Sequence, residues 1–385
     1  MPPQNLRIPG PTPLPDSVRE AGSRQMVGHR GPEFMELVVR VSEGMQPAFQ
    51  TKADVMILTS SGTGGLEAAV VSFLSPGDPV LSVSIGNFGE RFAEIAKAYG
   101  ADVTTVEFDW GQAADPDAVR VAIKAMAAEG RTPKAVLVTF NETSTGVTNP
   151  MADLAAAIRA EAPDTLILVD GVSAVGAMPL EMDAWDLDVV ITGAQKAWMI
   201  PPGLAMAAAS DRAWAAAESA TMPRFYFDLV KHRDALPRGQ TPWTPAVGIF
   251  FQLAAALELL EAEGWDNVYK RHAACGATAR AGLAAMGFDL FADPAFASNS
   301  VTSALVPEDV EWSAINKELR ARNLVLAGGQ GKMKGKLFRI GHLGDVSVED
   351  IVSAIEIIEE GALAAGVTIE SGAGPAAARR AGKEA

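Results

Sequence analysis

The sequence predicts an α/β fold: a large domain built on a mostly parallel sheet flanked by helices, followed by a smaller C-terminal α+β domain. Two observations predict it. Between about residues 53 and 210, short apolar runs alternate with helical patterns. Such alternation implies parallel strands buried under helices on both faces. From about residue 248 the texture changes to long helical patterns with a few short strands.

The elements follow in chain order. The opening Ile8-Pro9-Gly10-Pro11-Thr12-Pro13-Leu14-Pro15 is extended and turn-rich, because each proline removes a donor and restricts its predecessor. Strands are expected at 54–59, 80–85, 102–107, 135–140, 166–170, 189–192 and 204–209, where the apolar runs lie. Helices are expected between them at 65–74, 89–99, 115–128 and 151–162. A long amphipathic helix at about 249–263 leads to a second at about 268–286. Short strands at 303–306, 325–327 and 336–340 and a last helix at 348–365 complete the smaller domain. Residues 369–385, mostly Gly, Ala, Arg and Lys, read as a disordered tail. The chain thus divides into an extended N-terminal segment (1–22), a large domain (23–247), a small domain (248–368) and the tail (369–385).

Composition removes several function classes. With 385 residues, 48% of them hydrophobic and 21% charged, the chain is an ordinary globular protein able to bury a large core. A net charge of −15 argues against nonspecific binding to nucleic acid or an anionic membrane, which needs basic patches. The start, Met1-Pro2-Pro3-Gln4-Asn5-Leu6-Arg7, has no apolar signal core, and no 18-residue apolar run suggests a membrane span. The lone Cys275 excludes an intramolecular disulfide framework and a Cys-rich metal site, and His29, His232, His272 and His342 show no metal-ligand spacing. These features fit a reducing, cytoplasmic setting.

Lys196 is the most informative residue. It sits in the apolar stretch Val189-Val190-Ile191-Thr192-Gly193-Ala194-Gln195-Lys196-Ala197-Trp198-Met199-Ile200. A desolvated lysine loses its proton more easily and becomes the nucleophilic amine that Schiff-base chemistry uses. The plain alternative is a lysine snorkelling from a strand end.

Four further groups lie where strands end. Ser60-Ser61-Gly62-Thr63-Gly64-Gly65 opens a helix and suits a phosphate, because glycines admit a close ligand and the helix start offers free N–H groups. It is neither a dinucleotide fingerprint nor a Walker loop, and a simple glycine-rich turn explains it equally well. Asp170 closes an apolar strand and precedes Gly171-Val172-Ser173; it can hold a ring nitrogen protonated, ligate a metal or cap the next helix. The turn Asn141-Glu142-Thr143-Ser144-Thr145-Gly146-Val147 gathers hydroxyls and an amide that can meet a ligand or cap the turn. Arg339, in Leu337-Phe338-Arg339-Ile340-Gly341, faces away from Phe338 and Ile340 and is either a carboxylate reader or a surface arginine.

Taken in order, these parts resemble the fold-type I pyridoxal-phosphate enzymes of class V, specifically the alanine–glyoxylate and serine–glyoxylate (serine–pyruvate) aminotransferase family. The resemblance runs from Pro9-Gly10-Pro11 to about Ala365. It implies a fold-type I transferase with pyridoxal 5'-phosphate bound to Lys196 as the internal aldimine. It assigns Asp170 to the pyridine nitrogen, Phe88 and Val172 to the two ring faces, and Thr143 to the phenolic oxygen. Ser61, Gly62, Thr63 and Gln195 would hold the phosphate. Thr241 or Thr244 of a partner subunit would complete that cup, making a homodimer with composite sites. Arg339 would bind the substrate carboxylate, Gly10 would line the substrate pocket, and Gly28-His29-Arg30-Gly31 would lie at the dimer interface. The implied reaction is ping-pong transamination between alanine, serine or glycine and glyoxylate or pyruvate. No second arginine for an acidic substrate side chain stands out. A lyase on the same scaffold and a non-catalytic partner-binding relative are the alternatives. A cysteine desulfurase needs a mobile cysteine, and Cys275 lies in a helical pattern.

Overall fold

The structure, a computed structural model, describes residues 4–384. Seven strands form the main sheet in the order Val55–Ser60, Gly203–Ala209, Val189–Gly193, Leu166–Asp170, Ala135–Thr139, Pro79–Ser84 and Asp102–Glu107. Gly203–Ala209 runs antiparallel to both neighbours, and every other pair is parallel. All seven strands lie within a residue or two of their expected positions.

Alternation along each strand explains the layers. Val136 and Val138 point into one core, while Ala135 and Leu137 point into the other. Ile167 and Val169 part from Leu166 and Leu168 in the same way. Successive side chains leave a strand on opposite faces, so a run that is apolar at every position is buried on both sides. The helices Gly62–Phe73 and Asn87–Ala98 give Leu66, Val70 and Phe92 to one core. Met151–Glu161 gives Leu154 and Ile158 to the other.

The smaller unit holds an antiparallel sheet in the order Val301–Leu305, Leu337–Gly341, Ala327–Gly328. Arg339 sits on its central strand, opposite Ser303 and Ala327. The N-terminal segment ties the two units together. Asn5–Leu6 pairs with Leu324–Val325, Gly341 donates its N–H to the Arg7 carbonyl, and Thr12 bonds the backbone carbonyls of Gln195 and Lys196.

Two expectations need correction, and one helix was not expected. The residues expected to form a disordered tail contain a helix, Ala373–Glu384. It buries Gly374, Pro375 and Ala378, and Glu359 accepts the N–H groups of Gly372 and Gly374. Small residues allow close helix packing despite low hydrophobicity. The expected boundary at 248 falls too early, because Val247–Glu263 gives Phe250, Leu253 and Leu257 to the large core; the second core begins near Cys275. Finally, an unexpected helix, Pro32–Phe49, buries Phe34, Leu37, Val38, Val41 and Met45 at helical spacing.

Candidate active site

Where five of these strands end, the chain leaves a cavity of about 110 Å³. Open α/β sheets place ligands at the carboxyl ends of their strands for topological reasons. After Val55–Ser60 come Ser61, Gly62 and Thr63, at the start of the helix Gly62–Phe73. Leu166–Asp170 delivers Asp170 and Val172, and Val189–Gly193 delivers Gln195 and Lys196. The segment after Pro79–Ser84 brings Phe88, and the turn after Ala135–Thr139 brings Thr143. Nine residues expected from the sequence therefore line one cavity.

The electrostatics of the wall follow from burial. Burial pulls the Lys196 amine down to about 8; the nearby Arg339 charge adds to this, and Asp170 opposes it. In this chain Lys196 Nζ donates to the Pro9 carbonyl at 2.7 Å. Burial also pushes the Asp170 carboxyl up to about 7, opposed by the Val172 N–H, which donates to Asp170 Oδ1 at 2.9 Å. A lysine and an aspartate with values brought this close can exchange charge near neutral pH.

Arg339 stands at the edge of the site. Its Nη1 donates to the Thr143 carbonyl at 2.9 Å, and its Nε and Nη2 donate to the Gly328 carbonyl. The residue is only 5% exposed, and burial lowers its guanidinium to about 10. These hydrogen bonds go to neutral carbonyls rather than to an acid, so the cation keeps its charge for an anionic ligand. Gly10 packs on the lysine: a Cβ there would stand 3.0 Å from Lys196 Cδ and 3.0 Å from the Gln195 carbonyl, at φ +149°.

Thr241 and Thr244 lie away from this cavity. Thr241 Oγ1 donates to the Trp243 carbonyl, and Thr244 is exposed. Arg30 Nη1 donates to Gln240 Oε1 and to the Thr241 carbonyl, so the 28–31 loop and the 240–244 loop meet on the surface.

Leu66, Arg91, Asn141 and Ser173 complete the lining, and of these Arg91 had been given no place at the site by the sequence. Arg91 lines the cavity and lies over the Phe88 ring at 4.8 Å. Its signal was the spacing of 88 and 91 on one helix face. Asn141 donates to Ser173 Oγ and Ser300 Oγ, bridging the two units below the site. Glu142 is fully buried beneath Phe88.

The cavity can hold a phosphorylated aromatic cofactor. The helix Gly62–Phe73 has no side-chain cap at its start, so its first N–H groups are free for an anion. A Cβ on Gly62 would fall 2.7 Å from Val172 Cγ2, so a larger residue would fill the cradle. Gln195 Oε1 is buried with no hydrogen-bond partner, a costly state that a ligand donor would relieve.

Known proteins bear on this geometry. Residues 14–336 match the family model described as Aminotransferase class-V, well over half of the chain. The chain is 41% identical to a Synechococcus protein named soluble hydrogenase, small subunit, over 97% of both chains. It is 37% identical to L-aspartate–glyoxylate aminotransferase of Paracoccus denitrificans, covering 97% of this chain and 94% of that one. Among solved structures, ureidoglycine–glyoxylate aminotransferase from Bacillus subtilis superposes with a TM-score of 0.93 at 29% identity, covering 100% and 99% of the two chains. On these grounds the chain belongs to the class-V aminotransferase family and is an aminotransferase of fold-type I.

Proposed function

We propose that the enzyme binds pyridoxal 5'-phosphate in the 110 Å³ cavity and transfers an amino group from a small amino acid, such as alanine, serine or glycine, to glyoxylate or pyruvate. One observation carries the reading: a buried lysine with a lowered pKa shares the cavity with a buried aspartate, and an arginine with no acid partner among the described residues stands at the cavity edge. Bound there, the cofactor supplies an aldehyde for the amino group and a ring that draws electrons from Cα. Ser61, Gly62 and Thr63 hold the phosphate at the helix start, with Gln195 beside it. Asp170 would keep the pyridine nitrogen protonated, and Phe88 and Val172 would pack on the two faces of the ring. Arg339 orients the substrate carboxylate. Lys196 Nζ would carry the proton between the substrate Cα and the cofactor's aldehyde carbon, as base and then acid. Thr241 or Thr244 of a second copy closes the phosphate cup, which makes the working unit a homodimer.

A second reading differs in the donor. Arg91 gives the wall a second guanidinium and favours a dicarboxylic donor such as aspartate. The hydrogenase name of some relatives brings no chemistry to this site, because thiolate-held metal centres need several cysteines and this chain has one. Among the described residues, no helix is long and apolar enough to cross a membrane.

The test is the visible spectrum of the protein loaded with pyridoxal phosphate, followed by L-alanine, L-serine, glycine or L-aspartate in turn. Bleaching by alanine, serine or glycine supports the first reading, and bleaching by aspartate alone supports the second. A band that no amino acid bleaches points to a lyase or another reaction on the same scaffold. No band at all overturns the cofactor assignment.

A further inference from the structure

Glu142 is a carboxylate in an unusual place. It is 0% exposed, so burial pushes its carboxyl up, and a charged form needs protein donors in place of water. Four donors do so. Its Oε2 accepts the N–H groups of Phe88 at 3.0 Å and Gly89 at 3.2 Å. Its Oε1 accepts the Ser144 N–H at 3.0 Å and the Ser144 hydroxyl at 2.6 Å. The Ser144 hydroxyl in turn accepts the Asn87 N–H at 3.1 Å.

Asn87, Phe88 and Gly89 are the first three residues of the helix Asn87–Ala98, whose own N-cap, Gly86, offers no side chain. The first N–H groups of any helix lack partners within it. Here the turn bearing Thr143 supplies those partners, and the positive end of the helix favours the carboxylate's charge. One side chain therefore joins the two wall segments that carry Thr143 and Phe88. Gly86 leaves it room: a Cβ there would fall 2.5 Å from Glu142 Cγ and 2.6 Å from its Cδ.

We propose that Glu142 is a positioning residue, which fixes the start of the helix Asn87–Ala98 so that the Phe88 ring is held against the face of the bound cofactor. The proposal rests on the cofactor reading above. An ordinary helix cap would affect stability alone, whereas a positioning residue acts on the cofactor through Phe88.

The experiment is a double-mutant cycle between Glu142→Gln and Phe88→Leu on the full-length protein. Two quantities are read: the dissociation constant for pyridoxal phosphate and the circular dichroism of the visible cofactor band. The amide can satisfy only one side of the network, because its NH2 group meets an N–H donor on the other. Glu142→Gln is expected to weaken cofactor binding about tenfold and to reduce the visible dichroism, as loss of a well-placed aromatic contact would. On the Phe88→Leu background the same substitution is expected to change neither quantity further. Gly86→Ala gives a second route, since it displaces the carboxylate while keeping its charge, at a backbone φ of 169° that any residue adopts. It is expected to reproduce the dichroism loss even if Glu142→Gln fails to fold. Additive effects in the cycle, or wild-type dichroism and affinity in both Glu142→Gln and Gly86→Ala, would overturn the proposal while leaving the cofactor assignment intact. A wild-type protein that shows no cofactor band would overturn both.

Discussion

Replacing Asp170 with asparagine should stabilise the cofactor-free protein, although it removes a residue of the active site. The side chain is 4% exposed, and burial raises its carboxyl from 3.8 to about 7. The folded chain thus keeps a proton on Asp170 at pH values where the unfolded chain has lost it. Stability falls as the pH rises from 3.8 toward 7, and the penalty is constant above that. Three pH units at about 1.4 kcal/mol each make the penalty about 4 kcal/mol near pH 8, and about 2 kcal/mol near pH 5.5. Asparagine has nearly the same shape, keeps an acceptor for the Val172 N–H and carries no charge. Urea unfolding of cofactor-free wild type and Asp170→Asn, followed by tryptophan fluorescence at fixed protein concentration, measures the difference. The variant should be the more stable at both pH values, with a gap near pH 8 about twice that near pH 5.5. In the loaded enzyme the order should reverse, because a protonated ring nitrogen then pairs with the carboxylate. Equal stability near pH 8, or a gap that does not change with pH, would refute the claim that Asp170 is held in a desolvated site.

Three further outcomes follow from the same geometry. Arg339→Ala should raise KM for the amino acid about 100-fold, since charge-assisted bonds to a carboxylate are each worth about 1.5–3 kcal/mol; initial rates over a range of substrate concentrations test this. Capture of pyridoxal phosphate by the cofactor-free protein should quicken about tenfold per pH unit below pH 8 and level off above it, because only the neutral Lys196 amine reacts and burial sets its pKa at about 8. Stopped-flow absorbance across pH reads that profile, and a midpoint near 10.5, the unperturbed value, would contradict it. Truncation after residue 371 should lower Tm by several degrees, because it uncovers the surface under Ala378 and removes two backbone donors, Gly372 and Gly374, from Glu359.

The sheet was legible because its central strands are apolar at every position, a pattern that only a two-sided core explains. Lys196 and Asp170 were legible for the same reason: each is a charge placed at the end of such a run. The places of Ser61, Gly62, Thr63 and Thr143 at the cavity were legible only in company, since each turn is ordinary alone. Glu142 was not legible as a buried residue behind the wall. A carboxylate in a polar turn reads as solvated until the fold brings a helix start against it. Arg91 was hidden in a helix that also carries Glu90, Glu94 and Lys97 and so reads as a solvated face. The C-terminal helix escaped because its packing relies on glycine and alanine rather than large apolar groups. The helix Pro32–Phe49 carries clear periodicity, obscured by prolines at its first position and in its last turn, the first of which a helix start tolerates. Thr241 and Thr244 lie away from the cavity of a single chain, and the role proposed for them needs a second copy.

The role of Lys196 is tested most directly by where the cofactor becomes attached. The protein is mixed with pyridoxal phosphate, reduced with borohydride to fix any lysine–aldehyde bond, digested and mapped by mass spectrometry. A phosphopyridoxyl group is expected on the peptide containing Lys196, and none there in Lys196→Ala. A label confined to another lysine, or no label under conditions of full loading, would contradict that role.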